Sequence, residues 1–94
     1  MNKRLLALIF FLLNDHFCLV KQKNQPYLQA FGSNLRKIRL SKGLSQEDLA
    51  DRADSVLSQI GRIERGERAP NIITVKKLAD ALEINPKELF NFET

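Results

Sequence analysis

The chain has 94 residues, 44% of them hydrophobic, which is enough for one small domain with a single core. Its one cysteine, Cys18, excludes an internal disulfide framework, and neither Cys18 nor the lone His16 can complete a metal site alone. The sequence contains no paired carboxylates, nucleophile motif or glycine-rich phosphate loop. We therefore expect a protein that is not an enzyme and that binds no cofactor, metal or small-molecule ligand.

The charge is unevenly distributed along the chain. The formal net charge is +4, which by itself suggests a nucleic-acid partner. Residues 1–24 hold four basic residues and one acidic residue, for +3, whereas residues 25–94 hold eleven basic and ten acidic residues, for +1. Any DNA-binding surface in the second segment must therefore come from where its charges lie.

Residues 1–26 are predicted to be an N-terminal apolar extension followed by a polar linker. Lys3 and Arg4 precede an apolar run over 5–13, and the polar run over 21–26 ends in a proline. The apolar run is shorter than the roughly 20 residues of a membrane span, and no small-residue cleavage site follows it. Membrane contact is not expected. Three interpretations stay open: a signal or anchor, an extra helix packed on the domain or a partner, and a loosely attached segment such as sequence upstream of a misassigned start.

Residues 27–94 are predicted to form an all-α domain, a compact bundle of five short helices. Phe31, Leu35 and Ile38 recur at helical spacing, and no segment alternates as a strand would. Asn71 and Asn85 are placed to cap the last two helices. The apolar residues assigned to those two helices are Val75, Leu78, Ala79, Leu82, Leu89, Phe90 and Phe92.

The stretch over residues 45–66 predicts two short helices joined by a tight turn. Ser45 and Asp48 have the spacing of a capping box, and the apolar pattern breaks at residues 54–55. It resumes over about 56–64 with Val56, Ile60 and Ile63. Two helices joined in this way form a helix-turn-helix, whose second helix can enter the DNA major groove.

The runs LRKIRLSKGLSQEDLADRADSVLSQIGRIERGERAP, TVKKLADALEI and PKELF resemble the Cro/repressor-type (XRE-type) helix-turn-helix family, whose fold is the lambda-repressor-like domain. The resemblance covers roughly residues 29–92. It implies a cytoplasmic, sequence-specific transcriptional regulator that binds double-stranded DNA, as a homodimer, on a near-palindromic operator. The C-terminal helices, with Leu89, Phe90 and Phe92, are the expected dimer surface unless these side chains complete the core. Candidate roles are restriction–modification controller, prophage repressor and antitoxin-type autoregulator.

The second motif helix and its surroundings supply the candidate DNA contacts. The exposed side chains expected to reach base edges are Leu57, Ser58, Gln59 and Arg62. The resemblance implies that Gln46 contacts a phosphate, and it implies a structural ion pair between Arg39 and Glu64 that does not touch DNA. The further phosphate-contact candidates are the basic residues Arg36, Lys37, Lys42, Arg65 and Arg68.

The turn between the motif helices departs from the family pattern. Asp54 stands where the family often has glycine, and it tolerates a left-handed backbone better than most residues. Ser55 replaces a usual apolar residue. We expect Val56 to move inward in compensation and Ser55 to be the only candidate cap for the second helix.

Two other functions stay open at this point. A protein-interaction module, such as an antitoxin or coactivator-type domain that does not read DNA, is favoured by the near-neutral charge of residues 25–94. Gln59 and Arg62 on the groove-facing side argue against it. The other alternative is a membrane-tethered regulator that uses residues 5–20.

Overall fold

The computed structural model describes residues 25–93. Within them, α1 occupies residues 25–41, and α2 (Gln46–Arg52), α3 (Leu57–Glu64) and α4 (Ile72–Leu82) follow. A 3-10 helix, Pro86–Phe90, closes the chain, and no strand occurs in this part of it. The all-α prediction is confirmed. Five helices were expected; four of them are α-helices, and the last one is a short 3-10 helix.

The first helix differs from the predicted boundary. Gln25 and Pro26, assigned to the end of a linker, already lie in α1. The other residues of the apolar extension and linker lie outside the described part of the chain. Gly43 (φ 71°) ends α1 in a left-handed conformation, and Leu44 then turns into the core with 8% of its surface exposed.

The helix starts follow the predicted caps. The Ser45 hydroxyl accepts from the Asp48 backbone N–H at 3.0 Å, and the Asp48 carboxylate accepts from the Ser45 backbone N–H at 3.0 Å, which is a complete capping box. The Asn71 side chain accepts from the Thr74 N–H at 2.8 Å. The Asn85 side chain caps the 3-10 helix in the same way, with Pro86 at its first turn.

One apolar core joins all five elements. Its fully buried large side chains are Leu35, Leu49, Ile60, Ile63, Leu78, Leu82 and Leu89. Leu89, expected at a dimer surface or in the core, therefore belongs to the core. Phe92 is half-buried and packs edge-on against Tyr27 at a centroid distance of 5.2 Å, whereas 45% of Phe90 is exposed.

The end of α3 lies directly against α1. A Cβ atom on Gly32 would collide with the backbone carbonyls of Ile63 and Glu64, and one on Gly66 would lie 2.8 Å from the Gln29 backbone. Gly66 also ends α3 with a φ of 75°. Close approach at these two glycines fixes the position of α3 relative to α1.

Candidate nucleic-acid interface

The second motif helix presents two different faces. Ile60 and Ile63 are buried against the core, while Ser58 and Arg62 are exposed and Leu57 is 49% exposed. Gln59 lies at the edge of the exposed face and is half-buried. We call the four side chains Leu57, Ser58, Gln59 and Arg62 the reading surface.

The turn before α3 differs from the expectation at two residues. Asp54 adopts a left-handed backbone (φ 51°), as expected. Val56 does not move inward: it is the N-cap residue of α3 and is 60% exposed. Ser55 does not cap the helix either, because its hydroxyl donates to Gln59 Oε1 at 3.3 Å. The helix thus begins without a side-chain cap, so its first backbone N–H groups have no side-chain partner at the cap.

A buried ion pair joins α1 to the end of α3. Arg39 Nε donates to Glu64 Oε2 at 2.7 Å, and Arg39 Nη2 donates to Glu64 Oε1 at 3.1 Å. Arg39 Nη1 also donates to the Leu44 carbonyl at 2.8 Å, so the guanidinium has partners on both sides. The Arg39 and Glu64 side chains are only 7% and 3% exposed. The two residues that the resemblance paired therefore meet in the structure.

Gln46, the expected phosphate anchor, is part of the same network. Its Nε2 donates to Glu64 Oε1 at 3.0 Å. Gln46 is half-buried, and together with exposed Arg36 and Arg65 it lines a shallow depression whose floor is the buried pair. The structure thus brings three of the six phosphate-contact candidates to one place.

The remaining phosphate-contact candidates are more dispersed. Lys37 lies on the exposed side of α1 near Ser33 and Leu40, and Lys42 is exposed in the turn after α1. Arg68 lies in the loop after α3, where it lines a second depression with Arg62. Lys37 and Lys42 lie outside both depressions.

The loop after α3 contains an ion pair that the sequence analysis did not predict. Arg65 Nη2 lies 3.0 Å from Glu67 Oε2, and both side chains are more than half exposed. The hydrogen bond from Arg65, with a smaller contribution from the charge of Arg62, lowers the pKa of Glu67 below its ordinary value. An i, i+2 spacing across a helix end has no recognised pairing pattern, so sequence inspection had no signal for this contact.

Gly61 lies in the middle of α3 and is buried. The nearest atoms to a Cβ placed there all belong to the Arg65 guanidinium, with Nη1 at 2.9 Å. Arg65 therefore folds back over Gly61 while Glu67 holds the same guanidinium.

Two classes of feature are absent from the described residues. No helix within 25–93 is long and apolar enough to cross a membrane. No group of three or more histidine, cysteine or acidic side chains in that range is arranged to hold a metal ion.

Comparison with known proteins identifies the class of protein. A helix-turn-helix family model matches residues 35–89, more than half of the chain. The chain therefore belongs to this family of DNA-binding transcriptional regulators, which is regulatory rather than enzymatic, and its resemblance to the XRE type is confirmed.

Several relatives are controller proteins. The chain is 43% identical over 65 residues to the control protein C.BamHI of Bacillus amyloliquefaciens, a match covering 68% of this chain and 80% of that protein. The restriction–modification controller protein C.AhdI from Aeromonas hydrophila has a TM-score of 0.69 and 46% identity, over 69% of this chain and 98% of its own. The restriction–modification controller protein C.Esp1396I has a TM-score of 0.62 and 33% identity, over 67% of this chain and 83% of its own.

Proposed function

We propose that this protein is a controller-type transcription regulator of a restriction–modification system. The observation that carries the proposal is the exposed reading surface of α3, on a chain that is 46% identical to the restriction–modification controller protein C.AhdI. The protein acts in the cytoplasm. The DNA-binding domain includes α1 from residue 25 onward, and residues 1–24 are an extension to it.

Base recognition is assigned to the reading surface. With the start of α3 directed into the major groove, Arg62 donates two hydrogen bonds to guanine O6 and N7, and Leu57 contacts a thymine methyl. Ser58 and Gln59 complete the set with single hydrogen bonds to base edges. The Ser55 hydroxyl bond restricts the Gln59 amide before DNA arrives.

Phosphate contacts fix the domain on the duplex. Gln46, Arg36 and Arg65 surround one depression and are assigned to one stretch of DNA backbone. Arg68 serves the backbone on the other side of α3, and Lys37 and Lys42 add charge at the periphery. Residues 25–94 carry a net charge of only +1. The electrostatic attraction to DNA therefore comes from the positions of these basic side chains and not from the net charge of the domain.

A homodimer places two α3 helices in successive major grooves, roughly 34 Å apart, on a near-palindromic operator. The partly exposed Phe90, in the C-terminal 3-10 helix, is assigned to the dimer surface. Whether the regulator activates or represses depends on where its operator lies relative to the promoter.

The decisive experiment is a footprint and binding titration on the DNA immediately upstream of the protein's own coding sequence. We expect protection of a discrete site at physiological salt, and Arg62→Ala is expected to weaken binding to it by about 1–3 kcal/mol and to relax selectivity at one base pair. Lys77→Ala, which removes an exposed cation from α4, is the matched control and is expected to bind like wild type.

A second candidate function is a protein-interaction module without sequence-specific DNA binding. The near-neutral charge of residues 25–94 favours it. Binding that ignores DNA sequence, or that vanishes at physiological salt, would support this candidate and contradict the regulator proposal.

A further inference from the structure

The carboxylate of Glu64 accepts a hydrogen bond from Gln46 in addition to those of its ion pair with Arg39. Arg39 donates to both of its oxygens from α1, at 2.7 and 3.1 Å. Gln46 Nε2 then donates to Oε1 from the first turn of α2, at 3.0 Å. A single residue at the end of α3 thus contacts a side chain of α1 and a side chain of α2, the first helix of the helix-turn-helix.

The third hydrogen bond sets the orientation of the Gln46 amide. A glutamine amide has a donor end and an acceptor end, and its oxygen would be repelled by the buried carboxylate if it turned inward. With the nitrogen held by Glu64, one of its two N–H groups is used and the other remains to donate outward. The side chain is thereby ordered before any ligand is present, so ordering it adds no further entropic cost on binding.

We propose that Glu64 is a positioning residue for DNA binding: it presents the Gln46 amide nitrogen to a DNA phosphate and fixes this anchor relative to the reading surface. Glu64 itself closes α3, two residues after Arg62, so the anchor is tied to the same helix that reads bases. This inference rests on the proposed function. It adds a role for a residue that does not contact DNA.

The test is a double-mutant cycle that removes the carboxylate without leaving a buried charge. Glu64→Ala alone would leave the buried charge of Arg39 without its partner and destabilise the fold. The cycle therefore uses the paired change Arg39→Met with Glu64→Met. Replacing a buried ion pair by apolar residues of similar volume is often neutral or stabilising. Gln46→Ala is then made in the native and in the double-methionine background, with fold and melting temperature checked for each protein.

Affinity is measured by fluorescence anisotropy on the duplex protected upstream of the protein's own coding sequence. In the native background, Gln46→Ala is expected to weaken binding roughly tenfold or more, the effect of losing a hydrogen bond to a charged group. In the double-methionine background the same change is expected to weaken binding clearly less, because the Gln46 amide is no longer held in place. A difference between the two backgrounds larger than about twofold exceeds the error within which independent sites add. Arg62→Ala is the control, since the hydrogen bonds to the Glu64 carboxylate come from Arg39 and Gln46, and it is expected to cost the same in both backgrounds.

Glu64→Gln is the second variant and keeps the size of the side chain. Its oxygen is held by Arg39, so its NH₂ group faces Gln46 and draws the Gln46 oxygen inward. We expect operator affinity to fall to that of Gln46→Ala, with no further loss when the two changes are combined. This variant decides the matter if the double-methionine protein does not fold.

The outcomes separate the two proposals. If wild-type protein protects no site, the proposed function fails and this inference fails with it. If wild-type protein binds but Gln46→Ala costs the same with and without the Glu64 carboxylate, only the positioning role is overturned. Equal affinity of wild type and Glu64→Gln would overturn it as well.

Discussion

Gly32 and Gly61 are both buried, yet they lack a side chain for different reasons. Gly32 lies under the backbone carbonyls of Ile63 and Glu64, which cannot move without shifting α3. Gly61 lies under the guanidinium of Arg65, the far end of a long and flexible side chain. Glycine therefore allows a backbone segment to approach closely at position 32 and a side chain to approach closely at position 61.

We expect the two alanine substitutions to have different effects on stability. Gly32→Ala overpacks the contact between α1 and α3 and should lower the free energy of unfolding by about 1–3 kcal/mol. Gly61→Ala displaces only the tip of Arg65 and gains helix propensity, so it should be neutral or stabilise by up to about 1 kcal/mol. Urea denaturation followed by circular dichroism measures both values. Equal stability of the two variants would contradict the assignment.

Single-residue chemistry was only partly predictable from the sequence. Asp54 could be placed in a left-handed turn because few residue types tolerate that conformation. The Arg65–Glu67 pair and the bond from Gln46 to Glu64 could not be predicted, because each depends on how the end of α3 lies against its neighbours. Gly32 did leave a signal, a residue without a side chain within the apolar pattern of α1.

At the scale of elements, caps were the most predictable feature. Ser45, Asn71 and Asn85 each hydrogen-bond the first turn that follows, since these interactions are local in sequence. The start of α3 was less predictable. Val56 was expected inside, but the turn at Asp54 places it at the exposed N-cap, and only the packing of the whole domain decides between the two positions.

The capping box of α2 gives the domain a measurable pH dependence. The backbone N–H of Ser45, followed by its hydroxyl, lowers the pKa of Asp48 below the ordinary aspartate value. A lowered pKa in the folded state means that this stabilisation is complete above about pH 4, the pKa range of an unfolded aspartate, and is lost as the pH falls through the lowered value.

We therefore expect Asp48→Asn to be less stable than wild type at pH 6 and to approach wild-type stability at pH 2 to 3. Chemical denaturation of both proteins across that range measures the difference. Asp51→Asn, which removes an exposed carboxylate from the same helix, controls for the loss of one negative charge. A wild-type-to-variant difference that stays constant with pH would show that the Asp48 carboxylate does not stabilise the helix.

At the scale of the whole molecule, the sequence predicted the fold class and the composition of the core, because apolar spacing and the family match extend over most of residues 29–92. It could not assign Leu89, Phe90 and Phe92 between core and surface. These three residues are close in sequence, yet Leu89 is fully buried, Phe92 packs on Tyr27, and Phe90 stays 45% exposed with its ring 5.1 Å from that of Phe31.

The exposed ring of Phe90 gives a test of the proposed dimer. We expect Phe90→Glu to weaken self-association at least tenfold, because a charge at an apolar contact between copies must be desolvated without a partner. Analytical ultracentrifugation over a concentration series measures this effect. Leu40→Glu makes the same change at a residue that is 54% exposed on α1 and is the matched control. Unchanged self-association in Phe90→Glu, or an equal effect of both variants, would exclude this surface.

The ion pair between Arg65 and Glu67 affects how the protein distributes between its operator and the rest of the chromosomal DNA. An arginine that exchanges a carboxylate of its own chain for a phosphate gains less than an unpaired arginine would, so this pair slightly lowers the affinity for arbitrary DNA. A bacterial genome offers millions of competing non-specific sites, and most copies of a strongly cationic domain would be bound to them. A domain whose ten acidic residues nearly balance its eleven basic ones leaves most copies unbound, so operator occupancy follows the number of molecules synthesised.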